Sequence, residues 1–217
     1  VKQLLLDLIP PPRPSLDNFV TGRNSEALAA MRDGALAGAA KICYCWGAPG
    51  SGKTHLARAL VDTGDWLAFS PSQSQREGHD VCVDDVEALG DTEQQSLFNL
   101  INLQQQSAGS LIAFGGQAPR DLPMRRDLAS RLGSGLVFQL HPLSDDEKAV
   151  ALKAHAASRG FALRDDVLTY VLRHARRDMP SLMSFLDALD HHSIETGREI
   201  TVPLVRELTQ SPLGLSA

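Results

Sequence analysis

Positive charge is in short supply. Lys and Arg number 21 against 26 Asp and Glu, a formal net charge of −5. Such a chain has no global electrostatic reason to coat DNA, although a local basic patch remains open to it. Long apolar runs are missing too. None approaches the roughly 18–20 residues a membrane helix needs, so no membrane span is expected. The first residues, Val1 to Leu8, carry Asp7 inside the apolar stretch and no small-residue cleavage site, so they do not read as a secretory signal. Cysteine is rare and odd in number: Cys43, Cys45 and Cys82, each in an apolar run. Reduced, buried thiols in a cytoplasmic protein are the expectation. The spacing of Cys43 and Cys45 does not suit a zinc knuckle.

What is present is ordinary in bulk and informative in order. The 217 residues are 43% hydrophobic and 22% charged, values of a globular chain with one domain or two small ones. Residues 1–14 read as an arm: Leu4, Leu5, Leu6, Leu8 and Ile9, then Pro10, Pro11, Pro12 and Pro14. Such prolines forbid helix and favour extended polyproline II. The apolar segment either packs on its own domain or serves as a docking peptide. From residue 28 to about 140, short apolar strands alternate with helices. The expected strands are Ile42–Trp46, Trp66–Phe69, Val81–Val83, Leu111–Phe114 and Leu136–Phe138, with helices over Glu26–Ala40, Lys53–Val61 and Thr92–Ser107. Continuous apolar strands of this length indicate a parallel sheet covered on both faces. After residue 143 the strands stop. Ser144 and Glu147 form a capping box for a helix running to Arg159, with Gly160 as its stop. Asp165–His174 is a second helix, Pro180 opens a third that ends near Gly197, and Pro203 opens a short fourth. The chain thus reads as an arm (1–14), an α/β domain (15–142) and a small helical lid (143–217).

Gly47-Ala48-Pro49-Gly50-Ser51-Gly52-Lys53-Thr54 matches G-x-x-x-x-G-K-[ST] at every fixed position, between a strand and a helix. The glycines let successive backbone N–H groups curl towards phosphates, and the helix N-terminus adds partial positive charge. Lys53 is placed to bridge β- and γ-phosphates and the Thr54 hydroxyl to ligate Mg²⁺. Asp84 and Asp85, after Val81-Cys82-Val83, supply the second acid: Asp84 for the metal and Asp85 for orienting a water. Asp is shorter than the Glu common in vigorous ATPases, which predicts slow hydrolysis. In Asp127-Leu128-Ala129-Ser130-Arg131-Leu132, a helix would turn the leucines inward and Arg131 outward, towards a neighbour's γ-phosphate or simply towards solvent. One of Arg176 and Arg177 is placed to fold back onto nucleotide in cis, or to stay solvated.

These motifs, in this order, resemble the AAA+ ATPases of the bacterial replication-initiator clade, and most closely the Hda family that inactivates DnaA. Leu16-Asp17-Asn18-Phe19-Val20-Thr21-Gly22 looks like the initiator box that touches adenine, which implies Phe19 and Val20, with His55 beside the phosphate loop, among the nucleotide contacts. The arm Gln3-Leu4-Leu5-Leu6-Asp7-Leu8, the helix around Arg131, Pro142-Leu143-Ser144-Asp145 and Arg177-Asp178-Met179 match that family over nearly the whole chain. The resemblance implies an α/β AAA+ P-loop domain with a five-stranded parallel sheet, followed by an all-α lid. It implies ADP or ATP with Mg²⁺ as cofactors. Gln3, Leu4, Leu6 and Leu8 would dock on the β sliding clamp, Arg131 would be an arginine finger acting on DnaA-bound ATP, and Arg177 the sensor-2 arginine. DNA would be reached only through the clamp, at the bacterial nucleoid, and a homo-oligomer stays open.

Three departures from the initiators narrow the function. Phe114-Gly115-Gly116-Gln117 leaves Gln117 as the polar candidate where a γ-phosphate sensor is expected. Ser70 to Asp80 is too short for the helical element that handles single-stranded DNA. No duplex-binding helix-turn-helix is expected after the lid. The leading expectation is therefore a regulatory protein that stimulates a partner's ATP hydrolysis. The alternatives are a non-catalytic nucleotide-gated adaptor, a helicase-loader or transposition-helper ATPase, and, more remotely, a clamp-loader subunit.

Overall fold

The computed structural model describes residues 13–32, 41–71, 78–106, 109–175 and 178–210. Gln3, Leu4, Leu6, Leu8 and Arg177 lie outside the described residues. The chain divides between Pro142 and Leu143 into two units.

The first unit is built on strands β1 (Ile42–Trp46), β2 (Trp66–Ala68), β3 (Asp80–Val83), β4 (Leu111–Gly115) and β5 (Leu136–Gln139). They form one parallel sheet in the order β2-β3-β4-β1-β5. Successive side chains of a strand point to opposite faces, and here both faces are buried. Cys43 and Cys45 of β1 enter a core with Leu56, Ala57 and Leu60 of helix α2 (Lys53–Asp62) and Ala27, Leu28 and Met31 of helix α1 (Ser25–Arg32). Ile42 and Tyr44 enter the other core, with Leu97, Leu100 and Ile101 of α3 (Asp91–Gln106) and Leu128 and Leu132 of α4 (Arg126–Leu132). This is why β1 and β4 read as unbroken apolar runs. The edge strand β5 alternates half-buried and exposed residues. The three cysteines are free and buried, and burial, with the charge of Asp84, pushes the Cys82 thiol up to about 12.

The second unit packs α5 (Asp145–Ser158), α6 (Asp165–His174), α7 (Met179–Thr196) and α8 (Val202–Gln210). Its core gathers Leu152, Val167, Val171, Leu182, Phe185, Leu189 and Val205. The capping box is present: Ser144 Oγ accepts the Glu147 N–H at 3.1 Å, and the Glu147 carboxylate accepts the Ser144 N–H at 2.7 Å. An ionic cluster around the buried Asp187 and Asp190 ties the C-terminal end of α5 to α7. His155 Nε2 meets Asp187 Oδ1 at 2.7 Å, and Arg159 Nε reaches Asp187 at 3.5 Å and Asp190 at 3.4 Å.

Element limits differ from expectation in a few places. Pro180 and Pro203 are the second residues of α7 and α8 rather than the first. Asp178 caps α7 by accepting the Ser181 N–H at 2.9 Å, and proline is tolerated there because first-turn N–H groups have no intrahelical partner. Strand β2 stops at Ala68, one residue short, although the Phe69 N–H still donates to Cys82 O at 2.8 Å. Helix α1 is described to Arg32; residues 33–40 of the expected helix lie outside the described residues.

Candidate functional site

All strands of a parallel sheet end on one edge, and ligands of such sheets bind outside the carboxyl ends where the order of connections reverses. Here β1 is followed by β2 and β3 on one side, while β4 leads on to β5 on the other, and the phosphate loop leaves β1 at that point. Gly50 and Gly52 take φ of 80° and 93°, the left-handed region that glycine enters without strain. Lys53 Nζ donates to Gly47 O at 2.7 Å and Ala48 O at 3.1 Å, so the ammonium lies folded over the loop. Gly52, at the N-cap of α2, gives no side-chain cap, which leaves first-turn N–H groups of α2 for an anion. Ser51 Oγ is buried with no hydrogen-bond partner, and Thr54 is exposed. An orphaned hydroxyl beside uncapped amides and a lysine fits a bound phosphate chain.

The segment before α1 buttresses this loop. A Cβ at residue 52 would lie 2.6 Å from Phe19 Cε2. The Phe19 and His55 rings meet at 5.6 Å, tilted by 53°, and His55 Nε2 lies 3.0 Å from Ser15 O. Val20 is half-buried. Asn24, buried, clamps the same segment to the end of β5, donating from Nδ2 to His141 O at 2.9 Å and accepting the His141 N–H at 2.8 Å. Sequence reasoning missed Asn24, because its partner lies 117 residues away.

Asp84 and Asp85 follow β3 and are both exposed. Asp85 has φ of 51° and is the single non-glycine residue with positive φ among those described; Asp84 Oδ1 accepts its N–H at 3.0 Å. Strained backbone of this kind concentrates at functional sites. Thr54, Asp84 and Asp85 stand on the strand-end side of the sheet, with β3 and β1 separated only by β4. Three or more metal-ligating side chains do not gather there or elsewhere among the described residues. A site of this composition suits Mg²⁺, which is usually held by one or two carboxylates plus substrate phosphates.

At the tip of β4, Gln117 is exposed and its backbone is engaged: its carbonyl accepts the Tyr44 hydroxyl at 2.7 Å, and its N–H donates to Glu87 Oε1 at 3.2 Å. Glycine is required at 115, where a Cβ would collide with Tyr44 Oη. Glu87 was invisible to sequence reasoning, since nothing local marks it.

Arg131 behaves as its spacing predicts. Leu128 and Leu132 are fully buried, and Arg131 Nη1 donates to Gln105 Oε1 at 3.1 Å. Arg131 lies just before β5 and Gln105 just before β4, so both sit at the edge where strands begin. The phosphate loop is at the opposite edge, a strand length of about 13 Å away for the five residues of β4. The structure brings the loop, Phe19, His55 and the two aspartates to one end of the sheet and holds Arg131 at the other.

The family model for the Hda lid domain matches residues 145–209. Domain III of the Thermotoga maritima replication initiation protein DnaA superposes with a TM-score of 0.69 at 21% identity, covering 91% of this chain and 95% of that one. Residues 145–209 are thus similar to an Hda lid domain, and the fold of the chain is that of DnaA domain III. AMPPCP-bound DnaA from Aquifex aeolicus matches with a TM-score of 0.69 at 18% identity, over 85% of this chain and 67% of that one. A Thermotoga maritima RuvB mutant, A156S, matches with a TM-score of 0.67 at 17% identity, over 95% and 76%. The five-stranded parallel sheet and the helical second unit are therefore folded like those of these proteins. No helix among its described residues is long and apolar enough to cross a membrane.

Proposed function

We propose that this protein is a nucleotide-bound regulator of the replication initiator, which docks on the β sliding clamp and stimulates hydrolysis of DnaA-bound ATP. The observation that carries the reading is the separation of Arg131 from its own phosphate loop by the full length of the sheet. An arginine side chain cannot span that gap, which supports a role on a neighbouring subunit's nucleotide rather than on its own.

In its own site, Gly47, Pro49, Gly50, Ser51, Gly52 and Lys53 hold the phosphates of ADP or ATP, with Phe19, Val20 and His55 beside them; the resemblance assigns Arg177, outside the described residues, as the sensor-2 arginine. Thr54 and Asp84 hold Mg²⁺, which when bound neutralises phosphate charge. Asp85 is placed to orient a water, but its short side chain keeps cis hydrolysis slow. The preserved phosphate loop and the AMPPCP-bound DnaA neighbour support nucleotide binding, and the Hda-type lid supports DnaA as the partner. Gln3, Leu4, Leu6 and Leu8 form the clamp-binding peptide. DNA is met through the clamp, which places the protein at the nucleoid in the cytoplasm, and a homo-oligomer is compatible with this scheme.

Arg131 would bridge two oxygens of the transferring phosphoryl group, a contact typically worth about 10³–10⁵ in rate. Single-turnover hydrolysis of DnaA-bound ATP, with clamp and DNA present, tests this. Arg131→Ala and Arg131→Lys should both lose stimulation, since an ammonium cannot copy the planar fork, while clamp and ADP binding persist. Full stimulation by Arg131→Ala would leave only an adaptor without catalytic contribution.

A further inference from the structure

Gln105 stands in the last turn of α3 and holds the Arg131 side chain, yet it has no part in the scheme above. Two anchors fix α4 before Arg131 is reached. Leu128 and Leu132 are fully buried. The buried Gln94 of α3 accepts the Arg125 N–H through Oε1 at 3.1 Å, while its Nε2 donates to Leu89 O at 2.9 Å. After Arg131 the chain is pinned as well: the Arg131 carbonyl accepts the Ser134 hydroxyl at 2.7 Å and the Ser134 N–H at 3.1 Å. The backbone under Arg131 is therefore set, and its long side chain is left to be placed. Gln105 Oε1 accepts from Arg131 Nη1 at 3.1 Å. Among the described residues, Nε and Nη2 of Arg131 have no partner and no carboxylate pairs with the guanidinium. Arg125, at the other end of α4, is different: its Nε and Nη2 are both engaged by Asp127, at 3.2 and 2.7 Å.

We propose that Gln105 is the positioning residue of Arg131: its neutral carboxamide holds Nη1 and presents the Nε–Nη2 edge, with the positive charge intact, to a phosphoryl group on a neighbouring molecule. The inference rests on the trans-acting reading of Arg131. The Nε–Nη2 edge is a fork of two parallel N–H donors that matches two oxygens of one anion. Arg125 uses it on the two oxygens of Asp127, and Arg164 uses it on those of Asp166. On Arg131 the same edge is open. A long arginine side chain left unheld spreads over many rotamers, and ordering it costs free energy when the partner arrives. A hydrogen bond to a packed helix removes part of that cost beforehand, which is how preorganised donors gain their effect. The acceptor must also be neutral. A carboxylate at 105 would pair with the guanidinium and compete with the phosphoryl oxygens for it. A carboxamide oxygen accepts one N–H and leaves the charge in place.

The test is single-turnover hydrolysis of DnaA-bound ATP with clamp and DNA present, across a range of concentrations of the full chain, so that maximal rate and half-saturating concentration separate. Gln105 is exposed, and Met and Glu are both good helix formers, so neither Gln105→Met nor Gln105→Glu should lower the melting temperature. Gln105→Met fills the same space without the acceptor. It should lower the maximal rate about three- to ten-fold, the contribution of one hydrogen bond, and leave the half-saturating concentration unchanged. Gln105→Glu keeps an acceptor and adds the charge, so its maximal rate should fall below that of Gln105→Met. A maximal rate within about two-fold of wild type in either variant overturns the proposal. So does a loss confined to the half-saturating concentration or to the melting temperature, which would mark a merely structural role. Arg131→Ala, run alongside, keeps the two readings apart. If it stimulates fully, the arginine-finger reading has failed and the role of Gln105 falls with it. If it is inactive while Gln105→Met is unimpaired, the role of Gln105 alone is refuted.

Discussion

Gly52 is expected to be irreplaceable for two separable reasons, and a double-mutant cycle resolves them. In Gly52→Ala the backbone must hold φ near 93°, which costs a non-glycine residue about 1–2 kcal/mol. The new Cβ also lies 2.6 Å from Phe19 Cε2, so the ring must move off its seat, an overpacking cost of about 1–3 kcal/mol. The sum is about 2–5 kcal/mol, which at about 2–3 kcal/mol per molar urea, the upper part of the usual range for a chain of this size, lowers the unfolding midpoint by about 0.7–2.5 M. Phe19→Ala alone should cost less than the roughly 3–5 kcal/mol of a fully buried phenylalanine, because Phe19 is half-buried. In Phe19→Ala/Gly52→Ala the steric share disappears and the backbone share stays. The cycle should therefore return a favourable coupling of about 1–3 kcal/mol, the steric share. Both tryptophans of the chain, Trp46 and Trp66, lie in β1 and β2, so intrinsic fluorescence reads the nucleotide-binding unit itself. Strict additivity would refute the packing of Phe19 on the loop. Loss of less than about 0.5 kcal/mol in Gly52→Ala would refute the left-handed turn.

Lys53→Ala should abolish the rise in melting temperature produced by saturating ADP, since a ligand bound only by the native state raises apparent stability; an undiminished shift would place the nucleotide elsewhere. Replacing Gln3, Leu6 and Leu8 together by Ala should eliminate clamp capture in surface plasmon resonance while ADP binding persists, because a short peptide binds through a few anchors; equal clamp affinity would show that the arm is not the ligand. The Cys82 thiol, raised from its ordinary 9.0 to about 12, stays protonated in the fold while an unfolded thiol ionises. Its contribution is complete below about pH 8.5 and is lost as pH rises towards 12. Melting temperature should fall across that window, and the fall should be shallower in Cys82→Ala.

The features legible in the sequence are those whose partners are close along the chain. The phosphate loop, the Ser144–Glu147 box and the stop at Gly160 are set by residues a few positions apart, where backbone geometry leaves few choices. The apolar runs of β1 and β4 announced a sheet covered on both faces, and the spacing of Leu128 and Leu132 turned Arg131 outward. Contacts between distant residues were not legible. Phe19 on Gly52, Asn24 on His141, His155 on Asp187 and Glu87 on Gly116 each join residues 29 to 117 apart. No periodicity encodes such pairs. They exist because the strand order β2-β3-β4-β1-β5 brings one set of strand ends together. The same order settles which side of the sheet each helix covers and which edge receives Arg131. Sequence alone determined that a phosphate loop and an outward arginine exist. The tertiary structure decided that a sheet's length lies between them, because parallel strands put every strand end at one edge and every beginning at the other.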